Sequence, residues 1–357
     1  MTVYEDILST DSGTVLLKAG VPLDARKLER INDTLAKEAK DKDAELKVMV
    51  SLGTERALME RLFSVKIPDK REIERHLGYD KMLAEAGAMI SFIEANEALP
   101  NDCVMRLREM IKACFSKASL SDIFTLIHLP VAANEILCRH LINTSLLNGL
   151  IGWWLNVSQA EIDQLLTVGL LHDCGMALFP KSIIEAPRNL TVFEYEAIKL
   201  HSVRSFDLME GFTDIERYGV RDHHERLNLT GYPDGVGGAS ISFAARVTAV
   251  SDVYCARVSR RAWREAESPF DVAFSLSQAA GVDFDEEIIN IFLSQFVKEF
   301  NGRYVRLSSG EMGVVQELLL SDIMYPLVKI GGVSGSDVKT SDKLWCSGLG
   351  FSRGSGC

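Results

Sequence analysis

No stretch of this 357-residue chain approaches the ~18 consecutive apolar residues of a membrane span. The opening MTVYEDILST also lacks a positively charged start leading into an apolar run. Neither a helical membrane anchor nor a secretory leader is expected, and a cytoplasmic location is. Cysteine pairing is missing as well. Cys103, Cys114, Cys138, Cys174, Cys255, Cys346 and Cys357 are odd in number, scattered and without a CxxC pair. That pattern argues against a disulfide framework and against a zinc ribbon, and it fits a reducing compartment. Nor is there an excess of positive charge: 39 basic residues face 50 acidic ones, a formal net charge of -11. No broad basic surface for duplex nucleic acid or anionic lipid is expected. A small anionic ligand would therefore need local positive charge, such as a metal ion.

What is present is apolar content near half the chain, enough to bury one large core or two modest ones. Residues 1–115 begin with DSGTVLLKAGVPLDARKLERI, which reads as a short strand between glycine turns before helical spacing sets in, and pass through the charged stretch AKEAKDKDAELK. A small mixed α/β accessory or regulatory module is expected there. Residues 116–300 read as helical. Ser158 with Glu161, Thr191 with Glu194, and Thr213 with Glu216 have the spacing of capping boxes, and Ser268-Pro269 is a further helix start. Residues 301–330 switch to β-type alternation around Ser309-Gly310, predicting a short hairpin appendage. Residues 331–357 are rich in Gly and Ser and are expected to form a flexible tail. The fold class expected is mainly α: a helical bundle with a small α/β start and a short β end. No internal repeat is seen.

Five of the seven histidines fall at particular points of the helical region. His140 lies in the apolar stretch RHLINTSLLNGLIGWWL. His172 and Asp173 end a helix in GLLHDCG, where Gly175 is expected to supply the stop. His201 is expected within the helix that starts at Thr191, and His223 with His224 follows the helix that starts at Thr213. Asp252 sits in the apolar helix SFAARVTAVSDVYCARV. Taken singly, His140 and His201 are more often satisfied core residues than ligands. A carboxylate inside an apolar helix, such as Asp252, asks for a partner. His76 and His128 have no such company and are read as structural. Imidazoles and carboxylates converging in a helical bundle suit a mixed nitrogen and oxygen site for Fe, Mn or another first-row divalent ion.

These stretches, with DHHERLNLTGYPDG and AARVTAVSDVYCARVSRRAW, resemble the HD-GYP subgroup of the HD superfamily of metal-dependent phosphohydrolases, bacterial phosphodiesterases of cyclic dinucleotides. The resemblance spans residues 140 to 263, and YVRLSSGEMGVV looks like the β appendage that often follows this domain. It implies an all-helical bundle binding two metal ions. His140, His172, Asp173 and Asp252 would hold one. His201, His223 and His224 would hold the other, with Asp173 bridging the pair, because one carboxylate offers two oxygens. The expected activity is hydrolysis of cyclic di-GMP, or a related cyclic dinucleotide, to the linear dinucleotide and on to the mononucleotide. The turn Gly231-Tyr232-Pro233 would present Tyr232 rigidly to the substrate or to a signalling partner protein.

Several positions depart from the family pattern. Met176 stands where the family usually has a lysine that would meet the substrate phosphate, and Asn228-Leu229 replaces Asp-Gly. Ile136 occupies the position of a glutamate found in three-metal members, so a third ion is not expected, and Cys255 replaces an aspartate. Arg226, Arg246 and Arg261 are candidate replacement cations toward the substrate. The alternative expectation is a weakly active or inactive signalling module that binds the nucleotide, or a partner through the Tyr232 loop.

Overall fold

The computed structural model describes residues 7–8, 15–17, 77–128, 135–259, 264, 266–307, 312–330, 337–339 and 346–349. Of the expected substrate residues, Arg261 lies outside them, as does His76 and most of the expected N-terminal module. Two compact units divide the chain: residues 1–68 with 331–336 and 354–357, and residues 69–330 with 337–353. In the first, strands β1 (Ile7–Leu8) and β2 (Val15–Leu17) pair antiparallel, β2 falling within the apolar run TVLL. The division lies at Pro68/Asp69 rather than near residue 115.

The second unit opens with α1 (Tyr79–Asn96) and α2 (Asn101–Lys117), which bury Met82, Met89, Ile93, Leu107 and Ile111 in the same apolar core as the helices that follow. The charged stretch AKEAKDKDAELK, expected to belong to the N-terminal module, lies outside the described residues. Next come α3 (Leu120–Ile127), α4 (Ile136–Trp154), α5 (Gln159–Leu171), a 3-10 turn at Cys174–Leu178 and the short α6 (Lys181–Ile184). After them follow α7 (Val192–Ile198), α8 (His201–Leu208), α9 (Asp214–Arg221), α10 (Phe243–Val258), α11 (Pro269–Ala279) and α12 (Glu286–Phe300). The three predicted capping boxes start α5, α7 and α9, each with the serine or threonine oxygen accepting from the backbone N–H three residues on. Ser119 and Asp122 form a fourth at the start of α3. Ser268 caps α11, with Pro269 as its first residue.

Helix α4 is buried from Arg139 to Gly152, so its polar side chains there need partners inside the bundle. Its crossing with α5 is close because side chains are missing there: a Cβ on Gly169 would lie 2.6 Å from the Ser145 Cα. Polar groups then tie three helices together. Ser145 Oγ donates to the Leu166 carbonyl at 2.6 Å, and Asn148 Nδ2 donates to the Leu165 carbonyl at 3.0 Å and to Thr248 Oγ1 of α10 at 2.8 Å. Each such buried bond contributes about 1 kcal/mol net and costs more when one partner is removed. The helices α4, α5 and α10, which carry His140, His172 and Asp252, are thus locked at one register.

Four expectations are corrected. The helix starting at Thr191 does not run through His201; it ends at Ile198, whose carbonyl accepts the ring N–H of His201 at 2.7 Å as the chain turns into α8. Gly175 is not a left-handed helix stop but part of the 3-10 turn, where a Cβ would meet the His201 carbonyl at 2.4 Å and the Ser205 nitrogen at 2.6 Å. Its role is close approach to α8. At the C-terminal end, the expected hairpin is β3 (Tyr304–Leu307) paired with β4 (Met312–Glu317), but it is the middle of a five-stranded antiparallel sheet. With β5 (Leu327–Ile330), β6 (Asp337–Lys339) and β7 (Cys346–Leu349), the order is β6-β5-β4-β3-β7. Two of these strands come from the Gly/Ser-rich segment expected to be a tail: β6 pairs with the neighbouring β5 and β7 with the distant β3, and this pairing outweighs local composition. Val305, Leu307, Val315 and Val328 turn into the core. Cys103, Cys114, Cys138, Cys174 and Cys255 form no disulfides.

Candidate metal centre

Helix ends deliver most of the expected ligands to one point. His140 projects from the second turn of α4, His172 caps the C-terminus of α5, and Asp173 opens the 3-10 turn. His201 is the first residue of α8, His223 and His224 follow the cap of α9 at Asp222, and Asp252 lies in α10. All are buried except His224, which is partly so. They fall into two groups whose ligand atoms lie within 4.8 Å of one another: His140, His172, Asp173 and Asp252, and Asp173, His201, His223 and His224. Asp173 belongs to both. Its Oδ2 faces His140 Nε2 at 3.5 Å and His172 Nε2 at 3.6 Å, and its Oδ1 faces His201 Nε2 at 3.0 Å and His223 Nε2 at 3.6 Å. Asp252 Oδ1 lies 3.0 Å from His140 Nε2 and 3.8 Å from His172 Nε2.

The outer ring nitrogens explain the inward ones. His172 Nδ1–H donates to the Gly169 carbonyl at 2.8 Å, His201 Nδ1–H to Ile198 at 2.7 Å, and His223 Nδ1–H to Val220 at 2.6 Å. Each bond goes back three residues, fixes the tautomer and leaves Nε2 with its lone pair toward the centre, the usual outer support of a metal-binding imidazole. Meanwhile the buried Asp173 Oδ1 and His223 Nε2 make no hydrogen bond among the described residues. Buried polar atoms without partners are costly, and a cation coordinated by them removes that cost. The donor set fits divalent metal ions.

Charge points the same way. Burial alone would raise the carboxyl of Asp173, yet the imidazoles of His172 and His201 hold it well below the usual range. Asp252 is likewise lowered against burial by His140 and His172. Burial, then the neighbouring His223 and His201, holds His224 well below the ordinary histidine value, and burial lowers His223 too. Against burial, the Asp173 charge raises His172 and His201; His223 and His224 are the rings held toward the neutral form in which imidazole binds a metal, beside carboxylates held ionised.

A family model described as an HD domain matches residues 139–288, which contain every one of these ligands. This segment is similar to HD domains. Among curated proteins, the chain is 32% identical over 165 residues to the cyclic di-GMP phosphodiesterase PA4108 of Pseudomonas aeruginosa, covering 45% of this chain and 40% of that protein. It is 32% identical over 149 residues to the cyclic di-GMP phosphodiesterase response regulator RpfG of Xanthomonas campestris, covering 41% and 39%. To the 3'3'-cGAMP-specific phosphodiesterase 1 of Vibrio cholerae it is 35% identical over 103 residues, covering 28% and 24%. The chain thus spans well under half the length of these relatives. The solved structure of Bd1817, an HDG"Y"P protein from Bdellovibrio bacteriovorus, matches with a TM-score of 0.52 at 13% identity, over 84% of this chain and 95% of that one. At that identity the likeness concerns the fold. The described helices include none long and apolar enough to cross a membrane.

Beside these candidate ligands, the Gly231-Tyr232-Pro233 turn packs inward. Tyr232 stacks on His224 with ring centroids 4.5 Å apart, and its N–H donates to the His224 carbonyl at 3.3 Å. Gly231 is required by close approach, since a Cβ would fall 2.4 Å from Glu225 Cα and 2.5 Å from the His224 carbonyl oxygen. Burial, then the charges of Asp173 and Asp252, pushes the Tyr232 hydroxyl up, so it stays protonated and able to donate. Buried Glu225 ties the far side of the turn, its Oε1 accepting from the N–H of Asp234 at 2.7 Å and of Gly235 at 3.0 Å.

The departures from the family pattern also gain a location. Asn228 Oδ1 accepts from the Thr230 N–H at 3.1 Å and hydroxyl at 2.6 Å, an acceptor role an aspartate would share. Leu229 takes the left-handed conformation, φ 69°, that a glycine adopts without strain. Met176 is half-buried in the 3-10 turn, three residues past Asp173. Arg226 donates to the carbonyls of His223 and Glu225 and lies over the Phe284 ring, and Arg246 pairs with Asp285. Both guanidiniums are engaged in holding the fold. One cation went unread in the sequence: Lys199, whose ammonium lies 5.7 Å from the centre of the Tyr232 ring. Its spacing two residues before His201 was the only signal available.

Proposed function

We propose that this chain is a metal-dependent phosphodiesterase that opens a cyclic dinucleotide, cyclic di-GMP first among candidates, to the linear dinucleotide and then to the mononucleotide. The observation that carries this reading is the division of Asp173, one oxygen toward His140 and His172 and the other toward His201 and His223. A carboxylate so divided suits two ions, with iron or manganese the first candidates for this nitrogen and oxygen donor set. When bound, such a pair supplies Lewis acidity toward a phosphodiester and lowers the pKa of water.

The protein's own groups do the remainder. Asp173 and Asp252 balance the positive charge in a buried site, and the carbonyl-anchored imidazoles hold their positions so that binding costs little reorganisation. Tyr232, stacked on His224 rather than turned to solvent, offers a hydroxyl donor at the edge of the centre; this favours a substrate role over a partner role for the turn. The relatives named as phosphodiesterases give the inactive-module alternative no support. The test is hydrolysis of cyclic di-GMP and of 3'3'-cGAMP by anaerobically purified protein with added iron or manganese, alongside elemental analysis. Metal-bound protein that cleaves neither would overturn the proposal.

A further inference from the structure

Outside the ligand cluster, a row of side chains leads from it to the surface. Tyr232 lies against His224, the Lys199 ammonium lies 5.7 Å from the centre of the Tyr232 ring, and the same ammonium lies 4.9 Å from the centre of the Tyr195 ring. Tyr195 is 51% exposed. Local structure fixes this row. Tyr195 and Lys199 are four residues apart at the end of α7, so they share a face, and the chain reaches the ligand His201 two residues later.

We propose that Tyr195 and Lys199 form a nucleotide subsite of the metal centre, Tyr195 carrying a nucleobase on its exposed face and Lys199 meeting a phosphate oxygen. The inference rests on the phosphodiesterase reading and names two residues that recognise its substrate. A cyclic dinucleotide has a second phosphate and two flat bases. With one phosphate at the buried ligands, the rest of the ring must extend along whatever surface adjoins them. On the Tyr232 side, that surface offers a cation and then an aromatic face.

Charge supports the assignment. In a chain of net charge -11, Arg226 and Arg246 are already committed to carbonyls and to Asp285. Among the described residues, Lys199 pairs with Glu196 at 2.7 Å, that carboxylate being 59% exposed. Such pairs are weak, so a phosphate can take the place of Glu196 at small cost. Stacking on an aromatic ring tolerates any base. The subsite should therefore strengthen binding of cyclic di-GMP and 3'3'-cGAMP alike, leaving the choice between them to other groups.

The experiment uses the full chain loaded with manganese and compares Tyr195→Ala, Tyr195→Trp and Lys199→Met with the natural protein. Metal content, kcat and KM for cyclic di-GMP are measured, together with the calorimetric Kd of its slowly cleaved phosphorothioate analogue. Tyr195→Ala should raise KM and Kd about tenfold, within the range known for loss of one stacked base, with metal content unchanged. Tyr195→Trp should restore both, because the indole presents the same kind of face. Lys199→Met should raise both and weaken their dependence on salt. Unchanged KM and Kd in Tyr195→Ala and Lys199→Met, with an active natural protein, would overturn the subsite and leave the phosphodiesterase reading standing. A metal-loaded natural protein that neither binds nor cleaves the dinucleotide would overturn both.

Discussion

Asp173 carries more of the site than any other side chain, because each of its oxygens serves a different set of imidazoles. If two ions share it, Asp173→Ala should empty both positions, whereas His201→Ala should chiefly empty one. Elemental analysis of the two variants checks this; an alanine variant that keeps a full complement of metal would show that Asp173 does not bridge. Met176 is the opposite case, a position defined by what it cannot do. It is half-buried three residues past Asp173, where a thioether fills space but offers no charge to a phosphate. Loss of a preorganised charge-stabilising group typically costs about 2.7 to 4 kcal/mol in the barrier. Met176→Lys, recovering part of such an interaction, should speed single-turnover hydrolysis by about tenfold, or about 1.4 kcal/mol. The comparison must be made at matched metal occupancy, and equal rates would show that another cation already serves there.

At the scale of elements, the stretch from Asp222 to Gly235 behaves as one unit folded back on the ligands it contains. The helix end delivers His223 and His224, and Glu225 then anchors the returning backbone at Asp234 and Gly235. Gly231 passes so close to residues 224–226 that only a bare Cα fits. Gly231→Ala should therefore push the turn outward and separate Tyr232 from His224. The atoms in the way are all backbone or anchored to it, so a cost of about 1 to 3 kcal/mol in stability is expected. Hydrolysis should fall further than stability does, and denaturant unfolding measured beside kcat and KM separates the two effects. A variant with natural stability and natural KM would mean that the turn has room to shift without consequence. These elements also show what could be read from the sequence. The candidate ligands now found clustered could, because capping signals mark the helix ends and apolar runs mark the helices that present them. Lys199 and Glu225 could not, because one depends on a break between α7 and α8 and the other on backbone N–H groups nine and ten residues away.

Across the whole molecule, the difference between local and distant information recurs. The helical character expected over residues 116–300 is written in spacing and caps, and the helices α3 to α12 follow it. The inclusion of α1 and α2 in the same core was not, since an amphipathic helix carries no label for the surface it covers. The strands β6 and β7 were missed for a related reason: β7 pairs with β3, about forty residues earlier, and its own Gly/Ser composition gives no hint of that partner. His128 belongs to this level too. It was read as structural, and it sits in an aromatic cluster joining α3, α10 and α12, with Phe124, Tyr254 and Phe300 as ring neighbours. Its Nδ1–H donates to the Phe124 carbonyl at 2.6 Å, so Nε2 accepts from the Tyr254 hydroxyl at 2.8 Å. That arrangement requires a neutral ring. Burial lowers its pKa from 6.5 to about 4, with Arg303 adding to the effect and the Phe124 bond opposing it. An unfolded chain takes up this proton near pH 6.5, but the folded chain does so only near 4. Stability from this group is therefore complete above about pH 6.5 and is lost as the pH falls through the window toward 4. At about 1.4 kcal/mol per pH unit, the loss is at most about 3.5 kcal/mol. His128→Gln, which has no proton to gain, should lack that part of the acid sensitivity. The stability advantage of the natural protein over the variant, from denaturant unfolding at pH 7 and at pH 4.5, should shrink by about 2 to 3 kcal/mol. The metal ligands titrate in both proteins, so their contribution cancels in the difference. An advantage that stays constant across the window would mean that the ring is charged, or reached by solvent, in the folded state.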